Sequence, residues 1–184
     1  MVLQKVEGYR SQVTEELQGL KISIPAKRNI FIFVFLVIWL AGWAIGETRV
    51  SLSLFSSKQP LHGQMFSIVW LLGWTIAGIV TMYIWLWNAF GKEIILIDGY
   101  ILSIKRDLFG FGQPKEYELS QIRTLRISPM VYNPSDFNSG LQFWGVGGGA
   151  IAFDYGSKTI RAGSSIDESE ATYLVNRIKS TYKI

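Results

Sequence analysis

The sequence predicts an α+β membrane protein, in which a two-helix transmembrane hairpin is joined to a small antiparallel β-sandwich or partly open barrel closed by a C-terminal helix. Only 17% of its 184 residues are charged, against about 25% in ordinary soluble domains. The deficit lies in two blocks without any charge, 29–46 with 18 residues and 59–91 with 33. Crossing a bilayer takes about 20 mostly apolar residues. From residue 92 onward, short alternating segments are typical of antiparallel strands.

Residues 1–28 are predicted to form an amphipathic helix followed by a linker. Their apolar side chains recur at steps of three and four, at Val2, Val6, Tyr9, Val13, Leu17 and Leu20. This spacing is typical of one helix face, and the helix is expected to end near Gly19. We expect the helix to pack on the following domain or to lie on the membrane surface, with binding to a partner as the alternative.

Residues 29–91 are predicted to form the transmembrane hairpin, with spans at about 30–46 and 66–90. Tryptophans near the span ends fit the aromatic belt of a bilayer interface. Basic residues stand mainly before the first span and after the second, so the positive-inside rule places both termini in the cytoplasm. The outer loop would contain the one histidine, His62, for which exposure to solvent is favoured over ligation of a pigment or haem.

The second span carries a patch of small residues, formed by Gly73, Ala77 and Gly78. Such a patch allows another helix to approach closely. Two occupants are possible, the first span of the same chain or a helix of another protein. Trp70 and Trp74 stand beside the patch and are further candidate contacts.

Residues 92–184 are predicted to form a cytoplasmic domain. Asp98 and Gly99 form a strong two-residue hairpin signal. The predicted strands are 93–97, 100–106, 115–119, 122–128, 150–155 and 158–162, with a long loop at 129–149. Ser164 or Ser165 is expected to cap a closing helix, whose early acidic and late basic residues complement the helix dipole.

Three segments resemble a known group of proteins: WNAFGKE at 87–93, YELSQI at 117–122 and GAIAFDYGSKTIR at 149–161. They are similar to a family of poorly characterised bacterial proteins, common in cyanobacteria, with two membrane helices followed by a pleckstrin-homology-like (PH-like) domain. The resemblance covers about residues 28–182. It implies a PH-like fold and a thylakoid or plasma membrane location. By analogy, small two-helix proteins of cyanobacteria suggest a role as a photosystem assembly factor.

The residue inventory does not favour catalysis. The chain has no cysteine and one histidine, and no nucleophile, base and orienting partner can be named. We therefore expect no enzyme activity, no cofactor and no metal site. Residues 145–150 match the dinucleotide fingerprint G-x-G-x-x-A, but a strand pattern follows where that fingerprint requires a helix. Residues 92–184 hold eleven basic and ten acidic side chains, a balance that argues against nucleic acid.

Two sets of side chains in the domain are candidate contacts. Aromatic residues in glycine-rich loops are either core plugs or contacts with a membrane or a partner protein; they are Phe109, Phe111, Phe143 and Trp144. Basic residues that could meet anionic lipid headgroups, at about 1 kcal/mol each, are Lys105, Arg106, Arg123 and Arg126.

Two functions follow from these features. The first is a non-enzymatic accessory or assembly factor that docks on a larger integral membrane protein, for which the analogy suggests a photosystem subunit during biogenesis. The alternative is a membrane-anchored module that binds or senses anionic lipid.

Overall fold

The computed structural model describes residues 2–4, 8–16, 19–56, 61–128, 144 and 148–182. The chain divides into two compact units. One unit comprises Met1–Lys27 together with Trp87–Ile184, and the other comprises Arg28–Leu86. The first holds the strands and the C-terminal helix, and the second holds most of two long apolar helices. The predicted α+β class with two apolar helices and antiparallel strands is confirmed.

The elements follow one another in the order three strands, two helices, six strands and one helix. In the described residues these are β1 (Val2–Gln4), β2 (Gln12–Glu16), β3 (Gly19–Pro25), α1 (Ile30–Ser56), α2 (Leu61–Phe90), β4 (Lys92–Asp98), β5 (Ile101–Asp107), β6 (Pro114–Glu118), β7 (Ile122–Ile127), β8 (Ile151–Tyr155), β9 (Lys158–Ala162) and α3 (Glu168–Tyr182). A short 3₁₀ turn, Leu119–Gln121, joins β6 to β7.

The six strands β1 to β6 form one antiparallel sheet in chain order, although the two long helices separate β3 from β4 in the sequence. Strands β3 and β4 pair over their whole length, from Gly19 opposite Asp98 to Pro25 opposite Lys92. The helical hairpin is therefore inserted between two neighbouring strands of a sheet. The domain that was predicted to begin at residue 92 is discontinuous, because its sheet includes strands from the first 27 residues.

The prediction of an amphipathic helix for the N-terminal residues is wrong, because the described residues form strands. In β3, Leu20, Ile22 and Ile24 are buried and alternate with less buried residues, which is the period of a strand. Val2, Val13 and Leu20, three of the residues in the spacing pattern, lie on three different strands, so the steps of three and four do not trace one helix face. Pairing with the apolar strand β4 satisfies the backbone of β3 and outweighs the local helical pattern.

The second antiparallel sheet consists of β7, β8 and β9. One apolar cluster joins both sheets and α3; its members include Ile22, Ile95, Ile97, Leu102, Ile122, Leu125, Ile151, Phe153, Leu174 and Ile178. The strands predicted from residue 92 onward match the observed ones closely. Most of the predicted loop 129–149 lies outside the described residues.

The cap of the closing helix differs from the prediction. Asp167, rather than Ser164 or Ser165, caps α3, since its Oδ1 accepts a hydrogen bond from the backbone N–H of Glu170 at 2.8 Å. This bond, helped by the hydroxyl of Ser169, lowers the pKa of Asp167. Ser165 has another partner, because its Oγ accepts a hydrogen bond from the backbone N–H of Lys27.

Both long helices exceed the predicted spans. Helix α1 continues ten residues beyond Gly46, and α2 begins five residues before Phe66. The polar residues after Gly46 end the apolar block, but they do not end the helix. His62, predicted in the outer loop, is exposed in the first turn of α2. Both helices are long and apolar enough to cross a membrane.

Candidate docking surfaces

The predicted small-residue patch on α2 is divided between two sides of the helix. Gly78 is buried, and a Cβ placed there would lie 2.0 Å from the ring of Trp43 in α1. Gly73 and Ala77 are exposed, and a Cβ at Gly73 would meet no atom within 4 Å among the described residues. Gly78 thus serves packing within the hairpin, whereas Gly73 and Ala77 form an open surface.

The tryptophans of the hairpin mainly contact each other. Trp43 Nε1 donates a hydrogen bond to the backbone carbonyl of Trp74 at 3.0 Å. The ring of Trp74 lies 5.8 Å from that of Trp39 and 4.9 Å from that of Trp70, measured between centroids. Trp74 is therefore an internal contact of the hairpin. Trp70 stacks on it and retains an exposed edge.

One polar pair that the sequence analysis did not identify joins the two helices. The hydroxyl of Thr75 donates a hydrogen bond to Glu47 Oε1 at 2.6 Å. Glu47 lies within α1, because that helix continues beyond the apolar block. A carboxyl group among apolar helices is costly unless it is hydrogen-bonded, so this pair helps to fix the two helices in register.

Gly73 and Ala77 belong to a continuous exposed stripe along α2. The other members recur at steps of three and four residues, as one helix face requires. The stripe, here called the α2 outer face, consists of Phe66, Val69, Gly73, Ala77 and Val80. It combines large apolar side chains with two small residues at which a neighbouring backbone can come close.

Two of the four loop aromatics are exposed at a tight turn between β5 and β6. Phe109 is 60% exposed and Phe111 is 81% exposed, so neither is a core plug. The ring of Phe109 lies 4.9 Å from that of Phe90, the last residue of α2. Trp144 is half-buried, and its backbone carbonyl accepts a hydrogen bond from Asn88 Nδ2 at 3.0 Å. Phe143 lies outside the described residues.

Two of the four predicted lipid-binding cations are engaged in ion pairs. Lys105 Nζ lies 2.7 Å from Asp107 Oδ1, and the hydrogen bond from Lys105, together with that from Lys92, lowers the pKa of Asp107 against the opposing effect of burial. Arg126 binds Asp154 through two bonds of 2.7 and 3.1 Å, and this contact lowers the pKa of Asp154.

The other two cations, Arg106 and Arg123, are exposed. Arg106 lies on β5 of the six-stranded sheet, and Arg123 lies on β7 of the three-stranded sheet.

A buried carboxyl group, Glu93 on β4, is the main feature of the domain that the sequence analysis missed. Glu93 is 2% exposed, and its Oε2 accepts hydrogen bonds from the backbone N–H groups of Gly163 at 3.0 Å and Ser164 at 3.2 Å. Burial raises its pKa, while these bonds and the charge of Arg106 oppose the rise. Glu93 ties β4 to the segment before α3. Glu93 therefore acts as a structural clamp between these two segments.

The described residues contain no group of three or more histidine and carboxylate side chains that could hold a metal ion. Comparison of the chain with protein-family models, with curated proteins and with solved structures finds no match.

Proposed function

We propose that this chain is a non-enzymatic membrane accessory protein that docks on the helices of a larger integral membrane protein. In this proposal α1 and α2 cross the bilayer, and the sheet domain lies in the cytoplasm. The observation that carries it is the α2 outer face. There, Gly73 and Ala77 leave room for a close helix approach, while the third small residue, Gly78, is already used within the hairpin.

The sheet supports the hairpin topology of this proposal. Pro25 pairs with Lys92, and the backbone N–H of Ala26 donates to the carbonyl of Gly91 at 2.9 Å. The chain therefore leaves for α1 and returns from α2 at adjacent points. Helices that cross a bilayer from there would begin and end on the same side of it. Lys27, Arg28 and Lys92 stand at this end, so the positive-inside rule favours the cytoplasmic side.

The resemblance noted above extends the proposal in two respects. It implies that the two antiparallel sheets and α3 form a PH-like domain, and it makes a photosystem subunit the first partner to look for. Both are analogies of fold and architecture, which guide the choice of experiment.

Binding of anionic lipid is the second candidate function. Arg106 and Arg123 are exposed and could meet headgroups, each contributing about 1 kcal/mol near the surface. Lys105 and Arg126 are engaged in ion pairs, so half of the predicted cationic set is used within the domain. This favours docking on a protein as the main function. Flotation of residues 1–27 joined to residues 87–184, with and without R106A/R123A, on neutral and anionic vesicles tests the lipid alternative. That alternative requires the variant to bind anionic vesicles more weakly and neutral vesicles unchanged.

Affinity purification tests the docking function. The full chain, tagged and produced at native level, is extracted in a gentle detergent, and its partners are identified by mass spectrometry. Replacing Gly73 and Ala77 together by leucine should abolish recovery of the partner, because the added side chains keep the other helix away. The matched control is Ile79→Phe, which adds bulk to an exposed position about 120° around α2 from Gly73. Recovery of the wild-type chain alone would contradict the proposal.

A further inference from the structure

We propose that the turn between β5 and β6 inserts Phe109 and Phe111 into the lipid interface, on the side of the bilayer where α2 ends. The turn would thus bind the sheet domain directly to the membrane. The inference rests on the bilayer crossing of α2 assumed in the proposed function, but it does not require a partner protein. The occupant of this surface is the lipid bilayer itself.

The register of the sheet places the turn at the correct end of the domain. Lys92, which follows α2 after a single residue, pairs with Asp107, the last residue of β5. The turn therefore begins beside the end of α2, and the contact of Phe109 with Phe90 confirms this position. The opposite end of the strands carries Tyr100, about 20 Å away for strands of this length.

The chemistry of the surface fits an interface between lipid and water. Phe90, Phe109 and Phe111 are all exposed, and the rings of Phe90 and Phe109 meet at the end of a helix that is suited to crossing a bilayer. Aromatic side chains are enriched at this depth of a membrane.

The backbone conformation of the turn disfavours a phenylalanine at position 109. Phe109 and Gly110 both have positive φ, 54° and 89°. They form a two-residue turn, closed by reciprocal backbone hydrogen bonds of 2.9 Å between Leu108 and Phe111. The first position of such a turn favours Asn, Asp or Gly, and a bulky residue there is strained. The ring contact with the exposed Phe90, and in this proposal the lipid around both rings, offset the strain of a phenylalanine at this position.

The turn is also fixed in the conformation that presents both rings. Lys105 Nζ donates a hydrogen bond to the carbonyl of Gly110 at 2.8 Å and forms the ion pair with Asp107. Asp107 is buried and also contacts Lys92 at 3.3 Å. Little conformational freedom is therefore lost when the rings enter the interface.

Quenching by labelled lipids tests this inference on the full chain. The chain lacks cysteine, so single cysteines can carry an environment-sensitive fluorophore in vesicles of neutral phosphatidylcholine that contain nitroxide-labelled lipid. Gln113→Cys reports on the turn and keeps both phenylalanines. Tyr100→Cys, at the opposite end and also exposed, is the matched control, and Ile76→Cys on α2 reports on helix insertion.

We expect quenching at positions 113 and 76 and none at position 100. Adding F109S/F111S should remove quenching at 113 and leave it unchanged at 76. Quenching at position 76 without quenching at position 113 would overturn the inference, although α2 would still be inserted. If a cysteine at position 113 were then protected from thiol labelling in native membranes, the occupant of this surface would be a protein. Absence of quenching at both positions would overturn the inference together with the membrane insertion. Quenching at 113 that persists in F109S/F111S would also overturn it.

Discussion

Replacing Glu93 by alanine is expected to destabilise the sheet domain by about 2–6 kcal/mol. One buried carboxylate oxygen accepts the backbone N–H groups of both Gly163 and Ser164. A buried N–H group that loses its acceptor costs about 1–3 kcal/mol, and this substitution leaves two such groups. The expected loss is a large part of the about 5–15 kcal/mol by which domains are stable.

Replacing Glu93 by glutamine separates the hydrogen bonds from the charge. The amide oxygen can still accept both N–H groups, so we expect E93Q to lose less stability than E93A. Burial raises the pKa of Glu93 in the folded state above its ordinary value of 4.5. The folded state therefore binds more protons than the unfolded state, and the free energy of unfolding falls as the pH rises from 4.5 through the folded-state pKa. E93Q should lack this component.

The assay is denaturant unfolding of the full chain in mild detergent, from pH 4.5 to about pH 8, with hydrogen exchange of the segment that contains Gly163 and Ser164. The lowered pKa values of Asp107, Asp154 and Asp167 reduce stability as the pH falls through 3.8, and wild type and E93Q share this effect, so their difference reports on Glu93. A loss below about 0.5 kcal/mol in E93A, as for ordinary surface substitutions, would refute the clamp. The same pH dependence in E93Q and wild type would refute the assignment of the proton to Glu93.

Two further predictions concern the discontinuous domain and the helical hairpin. Residues 1–27, joined to residues 87–184 by a short Gly/Ser linker, should fold, with strand-type circular dichroism and cooperative unfolding. Residues 92–184 alone should not fold, because they lack the strand that pairs with β4. A folded 92–184 fragment would contradict this prediction. Gly78→Ile should lower stability in detergent by about 1–3 kcal/mol because it collides with a tryptophan ring. Gly73→Ile meets open space and should not, so equal melting temperatures would count against the assigned packing.

The elements that the sequence predicted well are those specified by nearby residues. The turn at Asp98 and Gly99 and the alternation after it determine β4 and β5 locally. The N-terminal strands depend on a distant partner, since Leu20 lies opposite Ile97. Local spacing could not reveal that pairing, and it resembled a helix by coincidence. Helix length was underestimated because polar residues such as Thr48 and Ser51 are compatible with a helix outside an apolar block.

The residue types of the candidate surfaces were predictable from the sequence, but the contacts that each residue makes were not. Spacing on α2 could not distinguish Gly78, which meets a ring of the same chain, from Gly73, which does not. The ion pair of Arg126 with Asp154 joins residues 28 positions apart, so it removes a predicted lipid contact that composition suggested. Glu93 did give a signal, as an acidic residue on the buried face of an apolar strand, but its partners lie 70 positions away.

The two proposed contacts have separate physical roles. Phe90 and Phe109 belong to the same compact unit, so a bilayer that surrounds the end of α2 reaches the turn without any further ordering of the chain. The covalent link makes the lipid contact intramolecular, and even a weak affinity of two phenylalanines is then sufficient. Lipid contact of this kind positions the domain but recognises no particular protein. In the proposed function, selection of a partner therefore depends on a surface of specific shape, and the small residues Gly73 and Ala77 form the exposed candidate for it on α2.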